Sequence, residues 1–143
     1  MSTKDLKALE RRFFNECNKG KAAAMAAIDE LCATDFVYHT ASGTDVYGPE
    51  GFKKLTTDMF NAVPDVRWII DDMIVEGDKA VLRYTITGIH KGEYMGKPPT
   101  NNKVTSSIIK IDRFAGGKLV EGWYEYDTLG LMQQLGVIPM PKK

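Results

Sequence analysis

In the stretch EGDKAVLRYTITGIHKGEYMGKPPTNNKV, Glu76 to Val104, apolar and polar residues alternate and then give way to glycines and a Pro-Pro pair. Successive side chains of a strand leave opposite faces, so Leu82, Tyr84 and Ile86 share one side with His90. Val81, Arg83, Thr85, Thr87 and Ile89 take the other. That second face is mixed, and it suits either a homodimer contact or plain solvent. Glu76-Gly77-Asp78 reads as the turn that opens the strand, and the run from Gly88 to Val104 as the connector that closes it.

The alternation extends both ways from this stretch. VRWIIDDMIVEGD precedes it, and VTSSIIKIDRFAGGKLVEGWYEYD follows it with a turn at Ala115-Gly116-Gly117-Lys118, giving four consecutive strands. Before Val66 the period is helical. Ser2-Thr3 with Asp5 resembles a capping box ahead of Leu6, Leu9, Phe13 and Cys17. A second stripe follows at Ala24, Met25, Ile28, Leu31 and Cys32. Asp35–Thr40 is a short strand, ASGTDVYGPEG a polar turn, and Pro49 opens a third helix that carries Phe52, Leu55, Met59 and Phe60. Asp127 caps a last helix that runs through Leu135. Helices followed by an antiparallel meander make an α+β class in one domain, residues 1–143, with the helices on one sheet face.

Composition removes several function classes. The chain has 19 basic and 19 acidic residues, so no overall field draws it to nucleic acid or an anionic membrane. The longest apolar run, Ala22–Ile28, falls short of the roughly 20 residues that a membrane span needs. With no targeting pattern the expected location is cytoplasmic. Cys17 and Cys32 lack CxxC spacing and read as buried thiols. Gly92-Glu93-Tyr94-Met95-Gly96-Lys97 is not a phosphate loop, because one residue too few separates the glycines and Pro98 follows the lysine. His39 and His90 stand far apart without HxH or HExxH spacing, so no metal site is expected. There is no GxSxG elbow either. An enzyme of this sequence would work without a cofactor.

GPEGFKKL (Gly48–Leu55), the Glu76–Val104 stretch and GGKLVEGWYEYDTLGLMQQLG (Gly116–Gly136) together resemble the SnoaL-like polyketide cyclase (ester cyclase) family. That family lies within the superfamily of nuclear transport factor and ketosteroid isomerase. The likeness implies a cone-shaped α+β barrel, its curved antiparallel sheet wrapped around the N-terminal helices, with an apolar pocket at the wide end. It also implies a small hydrophobic ligand and a homodimer or homotetramer. Characterised cyclases of the family close a ring by an intramolecular aldol reaction, using an acid–base aspartate with an asparagine, a glutamine and a histidine. Those four positions fall on Tyr124, Tyr38, Ile108 and Lys110, and all four differ.

The candidate catalytic residues are therefore Tyr124, Lys110 and His39. Tyr124 would donate a hydrogen bond to a carbonyl or developing enolate. Lys110, flanked by Ile109 and Ile111, would be a general base or Schiff-base amine if burial lowered its pKa. Alternatively it reaches the rim or pairs with Asp112 or Glu125. His39 could reach the pocket mouth or bond the turn at Ser42-Gly43. Tyr38, Tyr84, Ile108, Tyr126, Trp68 and His90 are the candidate ligand-binding positions, with His90 also readable as a turn-stapling hydrogen bonder. Two functions remain open: a cofactor-free enzyme acting on a small carbonyl or ester compound, or a non-catalytic binder of a hydrophobic molecule.

Overall fold

The computed structural model of the chain describes residues 1–139. Its elements run α1 (Thr3–Cys17), α2 (Lys21–Leu31), β1 (Cys32–His39), β2 (Asp45–Tyr47), α3 (Gly48–Ala62), β3 (Arg67–Glu76), β4 (Lys79–Ile89), β5 (Lys103–Ala115), β6 (Lys118–Tyr126) and α4 (Thr128–Gln134). The caps follow the sequence. Ser2 and Asp5 form a reciprocal capping box at α1, Pro49 lies in the first turn of α3, and the Asp127 side chain accepts the Gly130 N–H at 2.9 Å. Such caps satisfy amide groups that a helix start leaves without partners.

One sheet of six strands, in the order β2-β1-β6-β5-β4-β3, curves under the helices without closing on itself. The α+β class stands, with a correction to the expected all-antiparallel sheet, because β1 lies parallel to β6. A hairpin forces antiparallel pairing on β3 through β6, whereas α3 and the whole meander separate β1 from its partner. The polar turn after His39 also holds a short strand, with Val46 paired to Tyr38. Cys32 begins β1 rather than ending a helix, and both cysteines are free and buried.

Strict alternation on β5 buries Val104, Ser106, Ile108, Lys110, Asp112 and Phe114 under the helices. α1 packs on β3, α3 on β1, and α2 between the two helices. Two side-chain amides lock helix ends to strands by imitating a strand neighbour. Asn18 donates to the Trp68 carbonyl and accepts its N–H, both at 2.8 Å. Gln134 does the same with Thr105, at 3.0 and 2.7 Å. The connector after β4 folds back on the end of α3, where the Lys91 and Gly92 amides both donate to the Ala62 carbonyl at 3.0 Å. A Cβ on Gly92 would collide with the Asn61 carbonyl, so only glycine permits this approach. Among the described residues no helix is long and apolar enough to cross a membrane.

Candidate functional site

A cavity of about 440 Å³ opens between α1, α3 and the inner face of the sheet. Phe13, Phe14 and Cys17 of α1 and Phe52, Leu55, Thr56 and Met59 of α3 form its helical wall. Tyr38, Trp68, Tyr84, Ile108, Lys110, Tyr124 and Tyr126 project from the sheet. Exposed Asp58, Glu93 and Met95 mark the outer end, and buried Tyr38, Thr56, Ile108 and Lys110 the inner. The register explains the convergence of the sheet residues. Lys110 pairs with Leu82 on one side and Tyr124 on the other, and Ile108 with Tyr84 and Tyr126. In-register neighbours point to the same face.

Lys110 is 3% exposed, and its ammonium lies 2.8 Å from Asp112 Oδ2 and 3.3 Å from Glu10 Oε2. Asp112 is the next inward residue on β5, and Glu10 comes down from α1; both are fully buried. Gly122 opposite Asp112 leaves room for this cluster, since a Cβ there would come within 2.9 Å of Asp112 Oδ1 and 2.7 Å of the Tyr38 ring. The nitrogen also sits 5.0 Å from the centre of the Phe14 ring and 5.8 Å from that of Tyr84, a cation–π setting.

Burial would pull the Lys110 pKa down, but Asp112 foremost, with Glu10, Tyr38 and Tyr84, holds it well above the ordinary lysine value. The lysine therefore keeps its proton, and of the two alternatives open for it the geometry matches the carboxylate pairing rather than a general base or Schiff-base amine. The alternative pairing with Asp112 is the one observed, and Glu125 lies on the opposite face because it is one residue out of step. Glu10 is pushed well above the ordinary glutamate value by burial and by the neighbouring Asp112, against the pull of Lys110. One ammonium cannot neutralise two buried carboxylates, so Glu10 is held protonated beside a Lys110–Asp112 ion pair.

The tyrosines also keep their protons. Burial pushes Tyr124 up to about 12 and raises Tyr38 and Tyr84 as well. Their rings form a chain, with Tyr38 edge-on to Tyr124 at 4.8 Å and Tyr124 stacked on Tyr126 at 5.8 Å. Cys17, lifted by burial to about 12, is a neutral thiol in the wall. At neutral pH the inner end thus presents one ammonium and several hydroxyl donors.

Two candidate residues lie elsewhere. His39 is not in the cavity wall: Phe36 and Tyr38 point inward, so alternation sends His39 outward, onto the Trp123 ring at 5.4 Å. There it joins three strands, with Nδ1 2.9 Å from Asp45 on β2 and Nε2 2.8 Å from Glu121 on β6. The Ser42-Gly43 turn is not its partner; Ser42 lies 2.9 Å from the Thr40 hydroxyl. His90 is fully buried but also outside the wall, accepting the Thr100 N–H at Nδ1, 3.2 Å away. It staples the connector that it begins. Among the described residues no group of three His, Cys, Asp or Glu side chains is arranged to hold a metal ion.

The fold recurs in solved structures. AclR, a candidate hydroxylase from Streptomyces galilaeus, superposes with a TM-score of 0.86 at 28% identity, over 99% of this chain and 87% of its own. TsrD from Streptomyces laurentii gives a TM-score of 0.82 at 27% identity, over 96% of this chain and 99% of its own. A candidate SnoaL-like polyketide cyclase from Jannaschia sp. CCS1 gives 0.86 at 23% identity, over 97% and 98%, a likeness that carries the fold alone. A comparison with curated proteins finds no match to this chain. The family model described as SnoaL-like polyketide cyclase matches residues 8–135, and the chain belongs to that family.

Proposed function

We propose that the cavity binds a small hydrophobic carbonyl or ester compound and that the chain is a cofactor-independent enzyme of cyclase, isomerase or hydrolase type. The observation that supports this reading is a charged lysine, 3% exposed, at the inner end of a largely apolar, aromatic-rich cavity. Donors fixed in a dry site stabilise an oxygen that gains negative charge during reaction far better than water-exposed donors do. Lys110, Tyr38, Tyr84 and Tyr124 are such donors. In this reading Tyr124 stands where the family's cyclases carry the acid–base aspartate. With a pKa of about 12 it donates a hydrogen bond rather than accepting a proton.

Simple esters and β-keto compounds, screened against the wild type, Lys110→Met and Tyr124→Phe, test the reading. Turnover should fall about 10²-fold or more without the ammonium and by a smaller factor without the phenol. The competing reading, a binding protein, takes its support from the inner wall, where burial raises Tyr124 and Cys17 to about 12 and the neighbouring carboxylates hold Lys110 above the ordinary lysine value. A ligand that co-purifies unchanged, with no turnover of either compound class, decides for binding.

We further propose that the outer sheet face meets a second copy of the chain. Ile69 and Ile109 are exposed there beside Thr85 and Arg83. Sedimentation at several concentrations tests it; a monomer at every concentration rules it out.

A further inference from the structure

We infer that Phe13 determines how long a ligand the cavity admits. Its ring is the partition between the cavity and a second groove, and it confines the ligand to compact carbonyl or ester compounds with a short arm toward α2. This rests on the reading of the cavity as the ligand site and names the shape of compound that the site takes.

Helical spacing explains the second groove. α1 turns Leu9, Arg12, Phe13 and Glu16 toward α2 at intervals of three and four residues. α2 answers with Ala23, Ala26 and Ala27, while its larger residue Ile28 is fully buried in the core instead. Three methyl groups leave about 280 Å³ unfilled between the helices. Leu31 and the β5–β6 turn at Gly117 and Lys118 complete the wall. On the exposed side the Arg12–Glu30 ion pair ties α1 to α2 at 2.8 Å, and Lys118 donates to the Glu30 carbonyl.

Phe13 lines both this groove and the main cavity, and it is 8% exposed. Its ring partners belong to the cavity wall: Phe52 edge-on at 5.7 Å, Phe14 at 6.1 Å, and the Lys110 ammonium 5.7 Å from the ring centre. Among the described residues no other aromatic ring lines the groove. One residue thus separates the two spaces. A carbonyl that meets Lys110 has Phe13 beside it, so an arm directed toward α2 reaches the ring after a short distance. Such a wall discriminates by length. Each methylene with room to bury tightens binding about fourfold, and the first without room gains nothing.

The test measures binding of alkyl phenyl ketones, from acetophenone to dodecanophenone, to the full chain by calorimetry. In the wild type, affinity should rise about fourfold per methylene and stop rising at a short arm. Phe13→Ala should join the two spaces and carry the rise about three methylenes further or more, roughly a 60-fold gain for the longer ketones. Ala27→Leu, which fills the groove, should cancel that gain in the Phe13→Ala background and leave the series unchanged when Phe13 is present. General loosening of the core would weaken all the ketones alike without moving the limit, so the limit separates a specificity role from a structural one. Should Phe13→Ala fail to fold, Phe13→Leu takes its place, with a smaller extension in the same direction. A limit that stays in place in the folded variant, an extension that survives Ala27→Leu, or a wild-type rise that continues to dodecanophenone overturns the inference and leaves the cavity reading intact. Failure of every ketone to bind overturns the cavity reading and the inference with it.

Discussion

Lys110 and Asp112 are neighbours on the inward face of β5, and their side chains meet at 2.8 Å with both residues buried. Alternation along the strand places them on one face, and α1 lowers Glu10 onto the same nitrogen at 3.3 Å. A buried ion pair with a neutral acid beside it is a conditional arrangement: each partner is tolerable only while the others stay in place.

Asp112→Asn should therefore destabilise the chain by about 3 kcal/mol, because it leaves Lys110 without its closer counter-charge. Glu10→Gln, which copies a protonated glutamate, should cost less than about 1 kcal/mol. The pH dependence separates them further. Glu10 has a folded pKa above its ordinary value of 4.5. The unfolded chain thus releases this proton first, and wild-type stability falls as pH rises through that value. Glu10→Gln should remove that slope, and urea unfolding from pH 4 to 8 measures it.

His39 should act as an acid-side clamp on the strands that lead into α3. Hydrogen bonds that its ring donates to Glu121 and Asp45 raise its pKa above 6.5, and accepting the bond from His39 lowers that of Glu121 below 4.5. The histidine's contribution is complete below 6.5 and is lost as pH rises through the raised folded value. The Glu121 contribution is present above 4.5 and is lost as pH falls through the lowered one. The clamp is strongest between these two values. Histidine NMR titration should show an upward-shifted pKa for His39 that returns toward 6.5 in Glu121→Gln; an unshifted value in the wild type would sink the clamp.

Gly92→Ala should detach the connector after β4 from the end of α3. The added methyl meets the Asn61 carbonyl, a backbone group that cannot rotate away. A loss of about 2 kcal/mol or more is expected, with faster amide exchange at Lys91 and position 92, whose amides bond Ala62.

Asn18→Ala should cost about 2 kcal/mol, since both of its amide groups bond the Trp68 backbone at 2.8 Å. Trp68 lines the cavity, so its fluorescence should report the loosening before global unfolding. Asn18→Asp keeps one acceptor and should recover part of the loss.

Much of this architecture is legible residue by residue. Ser2, Pro49 and Asp127 mark helix starts because capping is a local matter of a few atoms. The inward set of β5 follows from alternation, and the same rule applied to Phe36 and Tyr38 would have sent His39 outward. Glu10 left a signal as well, a single acid inside the stripe of Leu6, Phe13 and Cys17. Asn18, Asp45 and Glu121 left none, because their partners lie 50, 6 and 82 residues away and no period relates them.

By itself the sequence determined the order of the helices and of every strand but the short β2, the alternation along β5 and the family, all of which follow from local geometry and recurring pattern. The tertiary structure alone decided the parallel pairing of β1 with β6, the place of the two histidines and the charge of Lys110. A lysine in an apolar strand is by local rules a candidate base; Asp112 and a glutamate carried in on a distant helix make it a cation. Electrostatic character depends on every charge within a few ångströms in space, and strand periodicity carries no information about what packs above it.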